Sequence, residues 1–307
     1  MLIARRYHMK QIHPNYYKKF TCIADRCRHS CCIGWEIDID SETYEKYKKV
    51  PGDFGDRLRT GISHGETPCF KLGEGDRCTF LNERGLCDII LTLGDDALCG
   101  ICADHPRFRN FFADRTETGL GISCEEACRI ILSETEPMHL LTKTDDGMDE
   151  PDPDDEVFFA ERYHVFSVLG NRQLSLSERF TMLSEEYTIP DDAISPAEWA
   201  AFYRRLERLD PAWDTVLDRL GKCAEFAIPD GTAWENLAMY IVYRHSANYG
   251  VCDSVAFAIH AVRMLCTVAD DFSDICDVCR MWSSEIEYSE ENTEKVFSNI
   301  GIASVEG

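Results

Sequence analysis

Four cysteines lie close together near the start of the chain, in the pattern Cys22-x4-Cys27-x3-Cys31-Cys32. A thiolate is both a metal ligand and a nucleophile. Four thiolates around one centre are the usual ligands of structural zinc and of iron–sulfur clusters. The density of cysteines in this segment therefore predicts that it binds a metal ion or a metal cluster.

Local signals predict how this segment folds. Asp25 is a suitable N-cap and Gly34 a suitable helix end, so the sequence predicts a helix of about two turns over residues 26–33. Cys27 and Cys31 would then share one face of that helix, which is the spacing of paired ligands. Of the other two cysteines, Cys32 would reach a different metal ion or pack inward, and Cys22 would fold back to join the first pair.

More cysteines follow along the chain and complete the predicted ligand set: Cys78, Cys87, Cys102 and Cys124. The alternative, that a cysteine is a reduced core residue, stays open for Cys69, for Cys99, which precedes Cys102 in a Cys-x2-Cys pair, and for Cys128. The later pair Cys276-x2-Cys279 has no second pair nearby and is interpreted as structural. His105 beside Cys102 is interpreted as a loop residue, with a nitrogen ligand as the alternative.

Composition indicates the compartment and the class of partner. The chain opens on MLIARRYHMKQIHPNYYKKF, without the apolar region of a signal peptide, and no run of about 18 apolar residues is recognised as a membrane span. We therefore expect a cytoplasmic protein with reduced thiols and no membrane partner. The net charge of −23 disfavours nucleic acid as a partner; it suits a lysine-bearing protein, although solubility alone would explain it.

An acidic, proline-containing segment over residues 145–156 predicts a linker between two domains. Residues 1–144 are predicted to form a cysteine-rich metal-binding domain with little regular structure, because their apolar stretches are short and broken by glycine and proline. A bound metal would supply the cross-links that such a segment lacks. Residues 157–307 are predicted to form an all-helical domain.

Helix signals are strong in this second domain. Ser195 to Glu198 is a capping box that predicts a helix to about Leu209, and Asp210-Pro211 predicts the next, to about Phe226. A second capping box, Thr232 to Glu235, predicts a long helix ending near Tyr249-Gly250, and Val251–Ala269 predicts a fourth. The predicted fold class is mainly α, a cysteine-rich N-terminal domain followed by a helical bundle.

The stretch from Pro14 to Tyr47 resembles the N-terminus of the flagellin lysine-N-methylase family, whose zinc- or iron-chelating motif is of the CxxxCxxxCC kind, followed by Gly-Trp and an acidic segment. The resemblance covers about the first 132 residues and is thinner beyond them. His105 stands where the family usually has tyrosine, and Glu125 where it has proline. The residues that carry the resemblance are Cys22, Cys27, Cys31, Cys32, Gly34, Trp35, Asp40, Thr43, Tyr44, Cys78–Leu81, Leu86-Cys87, Cys102, His105–Arg107, Ser123–Glu126 and Arg129.

This resemblance implies methyl transfer from S-adenosylmethionine to lysine side chains of flagellin, with an iron–sulfur cluster, or alternatively zinc, as a further cofactor. The sequence lacks the Cys-x3-Cys-x2-Cys triad of radical enzymes. It also lacks a glycine-rich loop between a clear strand and a helix. Any S-adenosylmethionine pocket is therefore expected to be unconventional.

Methylation requires a neutral, aligned lysine amine, and carboxylates and aromatic rings would favour both the amine and the sulfonium cation. Two groups of candidate cofactor-binding residues follow. Trp35, Asp40 and Tyr44 lie near the first cysteines, and Glu235, Asn236, Tyr240 and Arg244 lie on two adjacent rows of the long helix. The alternatives are capping roles for Asp40, Thr43 and Glu235, and interhelical hydrogen bonds for the rest.

Three functions remain open from the sequence. The first is a metal-cluster methyltransferase that acts on a protein substrate with exposed lysines. The second is a non-catalytic iron–sulfur or zinc-binding module. The third is a zinc-stabilised structural domain joined to a helical partner-binding domain.

Overall fold

The computed structural model describes residues 10–65, 67–143, 152–190 and 194–300. Within these residues the fold is mainly α, with thirteen α-helices and one four-stranded sheet. The strands are β1 (Lys10–Pro14), β2 (Arg107–Phe111), β3 (Arg115–Leu120) and β4 (Leu140–Lys143). The helices are α1 (Ser41–Lys48), α2 (Gly52–Thr60), α3 (Asp88–Leu93), α4 (Gly100–Asp104), α5 (Glu125–Leu132), α6 (Pro153–Leu169), α7 (Leu176–Glu186), α8 (Pro196–Tyr203), α9 (Trp213–Leu220), α10 (Thr232–Tyr249), α11 (Val251–Val268), α12 (Phe272–Trp282) and α13 (Glu290–Asn299).

The chain divides into two compact units, and the division differs from the predicted one. Residues 21–107 form one unit, here called the inserted unit, and residues 1–20 with 108–307 form the other, here called the helical unit. The predicted boundary at residues 145–156 is not where they divide, because β1 pairs with strands that follow the inserted unit and α5 packs against α10 and α12. Helix α6 begins at Pro153, inside the predicted linker, and residues 144–151 lie outside the described residues.

The sheet of the helical unit has the strand order β2-β3-β1-β4. The first strand runs parallel to β3, with Lys10 opposite Arg115, and antiparallel to β4, with Pro14 opposite Leu140. Parallel neighbours require a long crossover connection. Here the connection from β1 to β3 includes the whole inserted unit.

The two longest helices of the unit, α10 and α11, pack against each other and contribute much of its hydrophobic core. Gly250 separates them at φ +81°, a left-handed conformation that favours glycine. The predicted bounds of both helices are confirmed to within a residue or two. The described residues from Pro153 onward form only helices, turns and loops, as the pattern predicts.

Other helix predictions are partly wrong. The capping box of Ser195 and Glu198 is confirmed, but α8 ends at Tyr203 rather than near Leu209, and α9 is shorter than predicted at both ends. The capping box at Thr232 is absent, because Gly231 is the N-cap and the carboxylate of Glu235 is engaged elsewhere. The ends of these helices depend on tertiary contacts, which local helix propensity does not predict.

The expectation that no run of residues could cross a membrane is also corrected. Helix α11 is long and apolar enough to do so by length and composition alone. In the structure 72% of that stretch is buried within the protein. The core helices of soluble proteins pass the same test, so its burial explains its composition.

The inserted unit contains α1 to α4 around a small hydrophobic core of its own. The helix predicted over residues 26–33 is absent: a 3-10 turn covers Ala24–Arg26, and Ile33 forms an isolated bridge with Arg77. The hydroxyl of Ser30 accepts a hydrogen bond from the backbone N–H of Cys32 at 3.3 Å. Such local side-chain bonds compete with helix formation.

Candidate functional site

Five cysteine side chains pack together on the core of the inserted unit, and we call them the thiol cluster. Cys78 and Cys99 are buried in that core, and Cys32, Cys87 and Cys102 are half-buried against it. Cys78 also donates its backbone N–H to the carbonyl of Cys32 at 2.8 Å. Segments separated by up to 70 residues in sequence (Cys32 to Cys102) are thus brought to one place.

Short helices position two of these thiols. Cys87 is the N-cap residue of α3 and Cys99 that of α4, and neither side chain makes a capping hydrogen bond. Burial raises the pKa of Cys87, so its protonated thiol is favoured. The local fold therefore brings both sulfur atoms to the core of the inserted unit.

The thiols of the cluster influence one another's protonation. A hydrogen bond from Cys102 lowers the pKa of Cys99 to about 7, and the same bond with burial raises the pKa of Cys102. A hydrogen bond with Cys31 lowers the pKa of Cys32 to about 7, whereas burial raises the pKa of Cys78 to about 11. Like charges accumulate as these thiols ionise, and a bound cation would offset that repulsion.

The donor set fits an iron–sulfur cluster or a zinc ion in its chemistry. All sixteen cysteines lie in the described residues, and no disulfide joins any two of them. Among the described residues no group of three or more His, Cys, Asp or Glu side chains is arranged so that it could hold a metal ion. Cysteine thiolates are the donors that both metals use.

The remaining predicted ligands lie apart from this core. Cys22 and Cys31 are exposed, and the Cys27 thiol donates to the carbonyl of His29 at 3.2 Å. Cys31 forms a hydrogen bond with Cys32 of the thiol cluster. Cys124 belongs to the helical unit, where it is the N-cap residue of α5. The structure thus gathers four of the eight predicted ligands and adds Cys99, whose Cys-x2-Cys spacing was the available signal.

The three candidate cofactor residues of the inserted unit have different surroundings. Trp35 is half-buried and donates its indole N–H to the carbonyl of Cys31 at 2.9 Å. The half-buried Tyr44 exchanges a hydrogen bond of 2.9 Å with His64. Asp40 caps α1 through a bond from the N–H of Thr43 at 2.9 Å, so its alternative role as a capping residue is the observed one.

On α10, Glu235 is 1% exposed and forms ion pairs with Arg179 at 2.8 Å and Arg172 at 2.9 Å. The three side chains line one side of a cavity of about 270 Å³ next to the uncapped N-terminus of α10. Glu235 is therefore a predicted cofactor residue that lines a cavity, although its carboxylate already has protein partners.

Asn236, Tyr240 and Arg244 are engaged in the interior. Asn236 is buried and donates to the carbonyl of Glu134 at 2.8 Å. Tyr240 donates its hydroxyl to Glu287 at 2.9 Å and accepts bonds from the backbone N–H of Ile122 and from Arg244. Of these bonds, the one from Tyr240 to Glu287 joins two helical elements, as in the alternative that the sequence left open, whereas Glu134 and Ile122 lie outside helices.

Glu287 organises this buried network, and sequence reasoning missed it. Its carboxylate is fully buried, accepts from His245 at 2.7 Å and lies 3.3 Å from Arg244. Burial would raise the pKa of Glu287, but Arg244 and the bond from His245 lower it below its usual value. The residue ends a π-helical turn over Ser283–Glu287, a geometry that the sequence does not signal.

The fold and the thiol cluster define a mainly helical protein with a cysteine-rich site. No protein-family model matches the chain, and no solved structure matches it. It is 32% identical over 149 residues to proteins named Lysine-N-methylase from Salmonella typhimurium and Salmonella choleraesuis, a match of 44% of this chain and 36% of each relative. It is 30% identical over 148 residues to the Flagellar biosynthetic protein FliU of Salmonella muenchen, a match of 44% of this chain and 86% of that relative.

The chain therefore belongs to the flagellin lysine-N-methylase family. It spans 36% of the length of the Lysine-N-methylases that it matches.

Proposed function

We propose that the chain is a protein-lysine N-methyltransferase that takes its methyl group from S-adenosylmethionine and holds an iron–sulfur cluster, or alternatively zinc, at its cysteines. The observation that carries this proposal is the thiol cluster in a chain whose relatives are named lysine-N-methylases. An iron–sulfur cluster would supply one-electron chemistry, and zinc would supply a Lewis acid or purely structural support.

The residues that would hold the metal are drawn from the predicted ligands and from Cys99. Cys32, Cys78, Cys87, Cys99 and Cys102 have the shared core that a cluster or an ion needs for shielding from water. Cys22, Cys27 and Cys31 lie in a segment without regular helix, and we assign them a role in capturing the metal or covering it.

S-adenosylmethionine carries a sulfonium cation, which aromatic faces and carboxylates favour. Trp35 and Tyr44 offer half-exposed rings, with the exposed Asp40 between them in sequence. Glu235 offers a carboxylate at the edge of a cavity. Tyr240 is fully buried with its hydroxyl engaged by three groups, so we assign it to the support of α10 and not to cofactor contact.

The proposed substrate is a protein with exposed lysines, of which flagellin is the candidate that the relatives' names suggest. The net charge of −23 favours the approach of a lysine-bearing surface and disfavours nucleic acid. We place this reaction in the cytoplasm, where reduced thiols persist.

A second function, a non-catalytic metal-binding module, is favoured by one observation. The similarity to the Lysine-N-methylases covers 36% of their length. A metal-binding segment shared by enzymes and binding modules would produce the same match.

The two proposals are separated by three measurements on protein purified without oxygen. Iron, sulfide and zinc analysis with a visible spectrum identifies the metal. Titration calorimetry with S-adenosylmethionine reports cofactor binding, and mass spectrometry of flagellin reports methyl groups on its lysines, with the variant C78S/C87S as the control.

The methyltransferase proposal predicts cofactor binding and lysine methylation by the parent protein and loss of methylation in C78S/C87S. A metal-loaded parent that shows neither heat with the cofactor nor methylated lysine supports the binding module. A parent without bound metal overturns both proposals.

A further inference from the structure

The cavity beside the N-terminus of α10 brings together side chains of both charge signs. Its charged lining residues are Arg172, Arg179, Asp230 and Glu235. All four belong to the helical unit, so the cavity is formed without the inserted unit. Two cations and two carboxylates in one cavity are complementary to a ligand that itself carries both signs of charge.

Arg179 keeps a donor after its bonds within the protein. Its side chain is 7% exposed, and its Nε atom donates to the carbonyl of Ser175 at 3.3 Å. Its Nη1 atom donates to Glu235 at 2.8 Å and to the carbonyl of Leu169. The Nη2 atom makes no hydrogen bond within the part of the chain that the structure describes. A ligand acceptor in the cavity would satisfy this donor.

Arg172 is the more exposed arginine of the pair, and it also keeps donors. Its Nε and Nη2 atoms donate to Glu235, and Nη1 donates to the carbonyl of Thr135. These bonds engage three of the five N–H groups that a guanidinium carries. A guanidinium that is held in place by protein partners and has N–H groups to spare is preorganised to bind a carboxylate.

The start of α10 and the preceding loop add groups of both kinds. No side chain caps α10, so its first N–H groups lack a side-chain acceptor. Asp230 is exposed, and its Oδ1 atom accepts from the N–H of Gly231 at 2.9 Å. Its carboxylate pairs with no cation among the described residues. The cavity therefore offers N–H donors to a carboxylate and a carboxylate to an ammonium group.

We propose that this cavity binds the α-amino-acid end of S-adenosylmethionine. Arg172, Arg179 and the first N–H groups of α10 bind the carboxylate, and Asp230 binds the ammonium group. The inference rests on the proposed function, because it takes S-adenosylmethionine as the methyl donor. The volume of about 270 Å³ lies just below the range of pockets that enclose a whole small molecule, roughly 300–1,000 Å³. It suits the amino-acid end and leaves the sulfonium and the adenosine to other surfaces.

The alternative is that these charges only hold α10 to the segment that joins α6 and α7. Glu235 fits this role, because its carboxylate is buried and pairs with both arginines. We therefore assign Glu235 to the orientation of the arginines and not to cofactor contact. The alternative gives no role, however, to the remaining N–H groups of Arg172 or to the carboxylate of Asp230.

The test compares S-adenosylmethionine with its decarboxylated analogue, which lacks the carboxylate and keeps the amine. Titration calorimetry measures the affinity of both compounds for the full-length protein purified without oxygen. The variants are R172M, D230N and the matched control R204M. Arg204 is 37% exposed, close to the 35% of Arg172, and forms ion pairs with Asp214 and Asp218 outside the cavity. Circular dichroism checks that each variant is folded.

The three variants have different expected results. R172M should weaken the binding of S-adenosylmethionine by about 10–100-fold, as expected for lost hydrogen bonds to a charged group, and leave the affinity for the analogue unchanged. D230N should weaken the binding of both compounds, because both keep the ammonium group. R204M should bind both compounds as the parent does.

Failure of this inference is distinguishable from failure of the proposed function. If the parent binds S-adenosylmethionine but does not prefer it to the analogue, or if folded R172M keeps that preference, the inference alone is overturned. If the parent binds neither compound, the proposed function falls with it. L-Methionine is the third ligand: binding to the parent that is tighter than that of S-adenosylmethionine would assign the cavity to a free amino acid and overturn the inference.

Discussion

Asp40 accepts a backbone hydrogen bond from Gly100 at 2.9 Å, across sixty residues of sequence. Its other carboxylate oxygen accepts from Thr43, also at 2.9 Å. One side chain thus caps the N-termini of both α1 and α4, and α4 starts beside Cys99. Asp40, a predicted cofactor-binding residue, thus also caps the helix that begins beside Cys99 and contains Cys102.

The first prediction concerns this double cap. D40A should destabilise the inserted unit by about 1–2 kcal/mol, because each lost cap costs roughly 1 kcal/mol. D40N is the control, since asparagine also caps helices. Hydrogen exchange of α1 and α4 is the measurement, and an equal effect of D40A and D40N would contradict the capping role.

Ionisation of Asp40 should also make the stability of the inserted unit depend on pH. Hydrogen bonds from Gly100 and Thr43 lower the pKa of Asp40 below its usual value. Asp40 therefore stabilises the folded protein at pH values above its unfolded-state pKa of about 3.9. This stabilisation is lost as the pH falls through the lower pKa that Asp40 has in the folded protein. D40N should lack this acid-induced component.

The second prediction compares two pairs of cysteines. C78S/C87S should lose most of the metal of the thiol cluster, because both side chains pack on the core of the inserted unit. C22S/C27S removes two thiols from the segment without regular helix and should retain more of the metal. Metal content per chain is measured on protein purified without oxygen. If C22S/C27S loses more metal than C78S/C87S, the thiol cluster is not the main metal-binding group.

The third prediction concerns Glu235. E235Q should cost about 3–5 kcal/mol of unfolding free energy, because it leaves the buried Arg179 without its counter-charge. R172M is the control; Arg172 is 35% exposed, and its loss should cost less. Urea unfolding measures both. If Glu235 serves mainly to bind S-adenosylmethionine, E235Q would instead abolish binding with little change in stability.

The fourth prediction concerns His245. Burial lowers its pKa, outweighing the hydrogen bond to Glu287 that favours the protonated ring. The unfolded chain therefore binds a proton more readily, and stability should fall as pH drops below about 6.5. H245Q should remove this component while retaining a donor to Glu287. Urea unfolding of both proteins between about pH 7 and 5 tests it; parallel pH profiles would refute the assignment.

The parts of the fold that the sequence predicts well are those fixed by local signals. Gly250, with apolar helical patterns on both sides, marks the junction of α10 and α11, and Ser195 with Glu198 marks the start of α8. Cys32, Cys78, Cys87 and Cys102 are four of the eight predicted ligands, and the structure brings these four to one hydrophobic core. Their role as metal ligands stays a prediction.

The remaining features depend on contacts between distant segments. Nothing near Glu287 indicates a π-helical turn that buries its carboxylate beside His245. No sequence feature near Glu235 indicates that its carboxylate forms ion pairs with Arg172 and Arg179. The helix predicted over residues 26–33 failed because Ser30 offers the backbone a local alternative.

The insertion of residues 21–107 between β1 and the rest of the helical unit decides how the protein can be divided for study. A fragment cut at residue 144 would keep α5 but strip away α10 and α12, exposing Ala127, Cys128, Ile130, Ile131 and Leu132 to solvent. Such a fragment should aggregate for reasons unrelated to metal. The inserted unit is better studied alone as a fragment of residues 21–107. The helical unit is better studied alone after an internal deletion that joins Phe20 to Phe108.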